Sequence, residues 1–266
     1  MFREITLGQY YPADSKVHAM DPRVKLFATL IFIITLFSCD DAITFLVAGV
    51  AMTGCIWLCK VPFSYMVKGL RGIMMLLIFA GLINLFLTPG VPLVSFWKLT
   101  ISDVGLKNAI LMTLRMVFLI VGTSIMTLTT TPNQLTDGLE KSLGFMKKAG
   151  VPVHEISMMM SIALRFIPIL VEETDKIMKA QMARGADFES GGIIKKAKNM
   201  IPLLVPLFVA AFRRAGDLAL AMEARCYNGG EGRTKMKPLK YEKLDHEAYA
   251  FIWGYVVFFY IIKILI

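Results

Sequence analysis

The sequence predicts an all-α membrane protein with about five transmembrane helices and three amphipathic helices on the cytoplasmic side. The first observation behind this fold class is bulk composition: 56% of the residues are apolar and the mean hydropathy is +0.62, more than a soluble domain of 266 residues needs. The second is a set of apolar stretches near both ends of the chain, long enough to enter a bilayer. The third is the segment between them, where charges alternate with apolar residues at helical spacing.

The apolar stretches predict four spans in the first half of the chain and one at its end. Asp21-Pro22-Arg23 is typical of a helix start, because a carboxylate can cap the helix and proline suits its first turn. The predicted spans cover residues 24–38, 42–58, 72–87, 108–128 and 248–262. The corresponding domains are an N-terminal membrane block at 1–130, a cytoplasmic domain at 131–245 and a C-terminal membrane helix at 246–266.

Basic residues beside the spans predict the orientation, since lysine and arginine accumulate in cytoplasmic loops. The residues that precede the first span are basic and those that follow it are acidic: Arg3, Lys16, Arg23 and Lys25, then Asp40 and Asp41. We therefore expect a multi-pass protein of the plasma membrane with a cytoplasmic N-terminus and with residues 131–245 in the cytoplasm. The net charge of +9 is explained by anionic lipid and does not require nucleic acid.

The sequence contains no pattern typical of catalysis or of metal binding. Its four cysteines and three histidines are scattered, and no CxxC pair occurs. No phosphate-binding GxxxxGK[ST] loop occurs, and Gly232-Arg233-Thr234 only echoes its last residues. We expect no catalytic residue and no metal or cofactor bound by this chain.

Residues 131–245 are predicted to form three amphipathic helices. The first begins at Pro132 and ends before Gly150. The second and third cover residues 153–183 and 193–225, where apolar residues recur every three or four positions as one buried stripe. Because charges are spread through both long helices, we expect that no stretch of this domain crosses the bilayer on its own.

The two long helices end in the same short pattern, Ala183-Arg184-Gly185 in one and Ala224-Arg225-Cys226 in the other. An arginine at the end of a helix can bond the last carbonyls and neutralise the negative end of the helix dipole. Two such ends on one side of a membrane also favour paired contacts with a two-lobed partner, because a guanidinium can bind a carboxylate bidentately. The residues alone leave both interpretations open.

With these motifs the whole chain resembles the transmembrane T-component of energy-coupling-factor (ECF) transporters, a branch of the ABC transporters. The resemblance rests on Asp21-Pro22-Arg23-x-Lys25, on the order of the spans and on the two Ala-Arg ends. It implies that these ends, Ala183, Arg184 and Gly185 with Ala224, Arg225 and Cys226, dock in grooves of two ABC-type ATPase subunits. Cys226 departs from the family pattern, in which glycine is usual, and cysteine tolerates a positive φ poorly.

The resemblance implies a non-enzymatic scaffold that links ATP hydrolysis in the two partner ATPases, which hold ATP and Mg, to a small substrate-binding membrane subunit. That subunit, the S-component, would take up a vitamin or micronutrient. The apolar stripes of the long helices would press on it, with candidate contacts at Met158, Met159, Met160, Leu204 and Phe208. Flexible thioethers suit a surface that repacks against exchangeable partners. Filling of the chain's own core is the alternative explanation.

Three other kinds of membrane protein are alternatives. A secondary transporter or channel predicts ionisable residues at the bilayer midplane, and an intramembrane lipid-phosphate enzyme predicts clustered carboxylates for a metal. An ordinary ABC permease predicts one coupling loop in place of two Ala-Arg ends. Polar residues inside a span indicate function by default, which applies to Asn84 and Arg115, although Arg115 is also close enough to the outer end to reach the interface.

Overall fold

The structure is a computed structural model that describes residues 10–89, 92–96, 99–188, 192–230, 236 and 238–265. The chain divides into two compact units. The membrane unit is the described part of Gly8–Gly138 and Leu239–Ile266, and the helical unit is the described part of Leu139–Pro238.

In chain order the elements are α1 (Lys16–Ala19), α2 (Pro22–Phe37), α3 (Ala42–Cys59), α4 (Phe63–Arg71), α5 (Met74–Leu87), β1 (Pro92–Phe96), β2 (Leu99–Ser102), α6 (Asp103–Thr129), α7 (Pro132–Ser142), a 3₁₀ segment (Leu143–Ala149), α8 (Val153–Ala183), α9 (Ile193–Asn199), α10 (Ile201–Ala224) and α11 (Lys243–Leu265). The boundary between the two units falls within α7. α8, α9 and α10 belong to the helical unit, and the elements before α7, together with α11, belong to the membrane unit.

The predicted fold class, an all-α membrane protein, is confirmed. Within the described residues, α3, α6, α8 and α11 are long and apolar enough to cross a bilayer, and α5 is apolar but shorter. The predicted spans at 42–58, 72–87, 108–128 and 248–262 fall on α3, α5, α6 and α11, and the span at 24–38 falls on the 16-residue α2. The short antiparallel hairpin of β1 and β2 has no counterpart in the prediction.

The expectation that no stretch of 131–245 could cross a bilayer is wrong by length and composition. α8 has 31 residues and contains an apolar window of spanning length with a mean hydropathy of 1.4. The charges that motivated the expectation lie in its second half, whereas its first 18 residues carry only Glu155 and Arg165. The division into domains at 130 and 245 concerns placement in the membrane and stays a prediction.

The start of α2 shows why the chain places Asp21 before Pro22. Asp21 Oδ1 accepts the N–H of Arg23 at 2.9 Å, as the sequence predicts for a helix cap, and Oδ2 pairs with the guanidinium at 2.8 Å. Burial alone raises the pKa of Asp21, but the hydrogen bonds and charge of Arg23 outweigh it, so the pKa lies below its ordinary value. The N–H of Asp21 donates to Asp245 Oδ1 at 2.8 Å, which ties α2 to α11.

Lys25, the last residue of the same motif, ties α2 to α6. Its ammonium donates to the carbonyl of His18 at 3.1 Å and to the carbonyl of Thr129, the last residue of α6, at 2.9 Å. Asp21-Pro22-Arg23-x-Lys25 is thus a junction at which α1, α2, α6 and α11 meet. Further along, α6 approaches α2 closely at Gly122, where an added Cβ would lie 2.7 Å from the ring of Phe32.

Candidate functional site

The first candidate tip is the C-terminus of α8. Arg184 is its cap residue, with φ −89° and ψ 8°. Gly185 follows in the left-handed region at φ 88°, and its N–H donates to the carbonyl of Met182 at 2.9 Å. The N–H of Ala186 donates to the carbonyl of Gln181, also at 2.9 Å. These two bonds are a Schellman motif, which satisfies carbonyls that the end of a helix leaves free.

The second candidate tip, the C-terminus of α10, has the same geometry. Arg225 is the cap residue, with φ −92° and ψ 17°. Cys226 adopts φ 53°, and its N–H donates to the carbonyl of Glu223 at 2.8 Å. The N–H of Tyr227 completes the motif on the carbonyl of Met222 at 3.0 Å. The cysteine therefore takes the left-handed conformation that glycine takes at the first tip, although it does so less readily.

At both tips the arginine lies exposed on the surface of the chain. Arg184 and Arg225 are exposed, and so are the flanking residues Ala183, Gly185, Ala224 and Cys226. At each tip the two residues after the arginine donate their N–H groups to the carbonyls two and three positions before the arginine. Among the described residues neither guanidinium has a hydrogen bond or an ion pair, so both are free to bind something else.

An ion pair joins the two helices at equivalent points. α8 packs against α10, and Arg214 Nη2 lies 2.7 Å from Glu173 Oε2. Glu173 stands 11 residues before Arg184, and Arg214 stands 11 residues before Arg225. At 1.5 Å per residue, each tip extends about 16 Å along its helix from this pair. The sequence predicts the two tips but not this pair, because a separation of 41 residues carries no local signal.

An apolar surface covers the halves of α8 and α10 that precede this ion pair. Met159 is 57% exposed, Met160 41%, Leu204 42% and Phe208 60%, while Met158 is half-buried. In the described helical unit, Val153 and Ser157 are the buried residues of α8 and Leu203 that of α10. The predicted stripe is therefore not buried by this chain itself. Filling of its own core does not account for the four exposed side chains, which leaves this apolar surface available to a partner or to lipid.

A cluster that the sequence does not predict fixes the start of α8. Glu140 Oε1 lies 3.0 Å from His154 Nδ1, and Ser157 Oγ donates to Glu140 Oε2 at 2.9 Å. The backbone at Gly230 passes close to the imidazole, since an added Cβ would lie 2.2 Å from the ring. The spacing of His154 and Ser157 places both on one face of α8, which is the signal that could have indicated a shared partner.

The two polar residues inside predicted spans both have partners in the membrane unit. Asn84 donates from Nδ2 to the carbonyl of Ala80 at 2.9 Å, one turn earlier in α5. Arg115 donates from Nη2 to the carbonyl of Cys39, just after the end of α2, and its guanidinium lies 5.6 Å from the ring centre of Phe45. Asn84 is thus bonded within its own helix, whereas Arg115 ties α6 to the segment that follows α2. In the described part of the chain no three His, Cys, Asp or Glu side chains come together as a metal site.

The chain is similar over most of its length to one family of known proteins. The CbiQ family, described as a cobalt transport protein, matches residues 13–236. The chain is 53% identical over 247 residues to the energy-coupling factor transporter transmembrane protein EcfT of Clostridium kluyveri, with 92% of each chain covered. It is 49% identical to EcfT of Thermosediminibacter oceani, with 93% of each covered, and 47% identical to EcfT of Bacillus subtilis, with 92% of this chain and 93% of the relative covered.

Proposed function

This chain belongs to the CbiQ/EcfT family of energy-coupling factor transporter transmembrane proteins, and we propose that it is the scaffold that couples two ATPase subunits to a substrate-binding membrane subunit. The resemblance to a T-component is confirmed. This membership speaks against the alternatives of a secondary transporter, a channel, a lipid-phosphate enzyme and an ordinary ABC permease.

The observation that supports coupling to two ATPases is the pair of matching tips. Arg184 and Arg225 cap helices of the same unit with the same Schellman geometry, are exposed, and have no partner among the described residues. A guanidinium at a rigid helix end is suited to a carboxylate in a groove, because its planar fork binds both oxygens. Two tips of the same geometry would fit two similar grooves, one in each ATPase subunit.

The Glu173–Arg214 pair supports the transmission of force. We infer that a displacement of either tip moves the adjoining part of its helix, and that the ion pair passes part of that movement to the other helix. The apolar surface at Met159, Met160 and Phe208 lies on the same two helices, on the side of the ion pair away from the tips. We assign this surface, with Met158 and Leu204, to the S-component, which binds the vitamin or micronutrient.

In this proposal the chain itself catalyses no reaction, and ATP is hydrolysed by the partner subunits. ATP and Mg bind in the ATPase partners, and the scaffold itself is not an enzyme. The tips face the cytoplasm, where ATP is available, and the N-terminus is on the same side of the plasma membrane, in accordance with the basic residues before α2.

Replacement of both arginines tests the docking role. In a chain with Arg184→Glu and Arg225→Glu, each tip would repel the carboxylate that it is proposed to bind. The ATPases should then no longer co-purify with the solubilised chain, and substrate uptake should be lost, while insertion in the membrane is unchanged. The matched control carries Lys147→Glu and Lys148→Glu, which make the same change in charge at exposed residues of the 3₁₀ segment. Normal co-purification and uptake in the arginine variant would refute the coupling role.

A further inference from the structure

We propose that a cavity in the membrane unit binds one acyl chain of an anionic phospholipid, with the lipid headgroup beside Lys16 and Lys25. The cavity has a volume of about 340 Å³ and is lined by residues of α1, α2, α3, α6 and α11, all from the membrane unit. This volume lies within the range of about 300–1,000 Å³ that is usual for ligand sites. The proposal is independent of the tips on α8 and α10.

The depth of the cavity matches one leaflet of a bilayer. On α2 its lining runs from Val24 to Phe32, and on α11 from Leu244 to Tyr255. At 1.5 Å per residue these stretches are about 12 and 16 Å long. One leaflet contributes half of a hydrocarbon core of about 30 Å. The cavity therefore extends from the ends of the helices to about the middle of the membrane.

The polar and apolar parts of the lining are separated along this depth. Lys16, Lys25, Thr129 and Glu247 line the end of the cavity at which the helices begin or finish. The deep end is apolar, and the hydroxyl of Tyr255 there is already bonded to Thr35 at 3.0 Å. A lipid has the same arrangement, with a charged headgroup at the interface and a chain that needs no hydrogen bond.

The charge at the shallow end favours an anionic headgroup. Lys25 is only 6% exposed, and its ammonium donates to two carbonyls. Within the described residues no carboxylate lies at ion-pair distance from it, and Asp21 and Asp245 attract it only from farther away. An ammonium has three donors, so one remains available. A buried charge without a counter-ion is unfavourable, and a phosphate at the mouth of the cavity would offset it. Lys16 is exposed at the same end and adds a second positive charge, which exceeds the single negative charge of Glu247 among the lining residues there.

Native mass spectrometry of the full chain tests the proposal. The chain is reconstituted with equal amounts of phosphatidylglycerol and phosphatidylcholine and released in mild detergent. We expect one phospholipid to remain bound, and phosphatidylglycerol to be favoured about fivefold, the ratio that one lysine beside an anionic headgroup produces.

Two alanines on α11 offer a matched pair of variants. Ala248 lines the cavity, so Ala248→Phe should fill it and remove the bound lipid. Ala250 is exposed on the same helix and is not among the lining residues, so Ala250→Phe should keep the lipid. Retention of the lipid in both variants, or a wild-type chain that retains none, would overturn the proposal.

A second measurement does not depend on the folding of a variant. Phosphatidylglycerol with a photoreactive group in its acyl chain is cross-linked to the wild-type chain, and the modified peptides are identified. Cross-links at the lining residues of α2 and α11 are the expected result. Cross-links confined to exposed residues that do not line the cavity, such as Ala250, would contradict the proposal. Equal retention of phosphatidylglycerol and phosphatidylcholine in the mass spectra would also contradict it.

Discussion

At the residue scale, one backbone conformation distinguishes the two tips. Cys226 has φ 53° where Gly185 has φ 88°, yet both complete the same pair of cap hydrogen bonds. A residue with a Cβ in the left-handed region is disfavoured by about 1–2 kcal/mol, whereas glycine is not. The second tip therefore keeps its geometry at an energetic cost that the first tip avoids.

Exchange of these residues should reveal that cost. Gly185→Ala should weaken the first cap by about 1–2 kcal/mol, because nothing but φ opposes the new side chain. Hydrogen exchange at the N–H of Ala186, which closes that cap, should then accelerate by about tenfold. Cys226→Gly should slow exchange at the N–H of Tyr227. Unchanged exchange in both variants would show that these bonds do not hold the tips.

Asp245 is the residue on which the junction of α2 and α11 depends. It is buried and accepts the N–H of Asp21 at 2.8 Å and that of Glu242 at 2.8 Å. Asp245→Ala leaves a buried donor without a partner, which should lower the free energy of unfolding by about 1–3 kcal/mol. A thermal unfolding series in detergent should show this loss, whereas Lys243→Ala, an exposed change in the same turn, should have little effect. Equal midpoints for both variants would argue against the junction.

At the scale of elements, the sequence predicts well what depends on neighbouring residues. The cap at Asp21, the apolar helices and the helix ends at Arg184 and Arg225 all follow from local chemistry, and the structure has them. The contacts that depend on distant residues could not be predicted. Asp21 meets Asp245 across 224 positions, and His154 meets Glu140 across 14.

One error and one open alternative at this scale have physical reasons. The sequence makes α8 look too polar to span a bilayer, but its charges are concentrated in one half, and an average over the whole helix conceals an apolar window. The sequence leaves open whether the stripes of the long helices meet the S-component or the chain's own core, because periodicity shows only that a face is apolar, not what covers it. Phe208, 60% exposed, is the clearest example.

The Glu173–Arg214 pair can be tested by charge reversal. Glu173→Arg should place two arginines together and weaken the packing of α8 on α10, and Arg214→Glu should do the same with two carboxylates. The double variant restores an ion pair of opposite direction. Because both side chains are partly exposed, we expect a coupling free energy of about 0.2–1 kcal/mol in a double-mutant cycle on thermal unfolding. Additive effects would show that the two residues act separately.

At the scale of the whole molecule, the chain combines two kinds of surface in one family scaffold. The membrane unit has its own core and its own cavity, and the helical unit has two tips and an apolar surface. Within the described residues α8 and α10 bury only Val153, Ser157 and Leu203, which leaves most of their apolar surface for the partners that we propose. The central claim is that each tip is seated in a different ATPase subunit.

Photo-cross-linking from both tips measures this claim most directly. Ala180 and Ala221 are exposed and each stands one turn before its arginine, so both can carry a photoreactive amino acid without loss of the cap. Irradiation of the assembled transporter with both positions labelled should yield one chain joined to two ATPase subunits, while a label at the exposed Ala149 should yield none. Cross-links from both tips to a single ATPase subunit, or to none, would contradict the account.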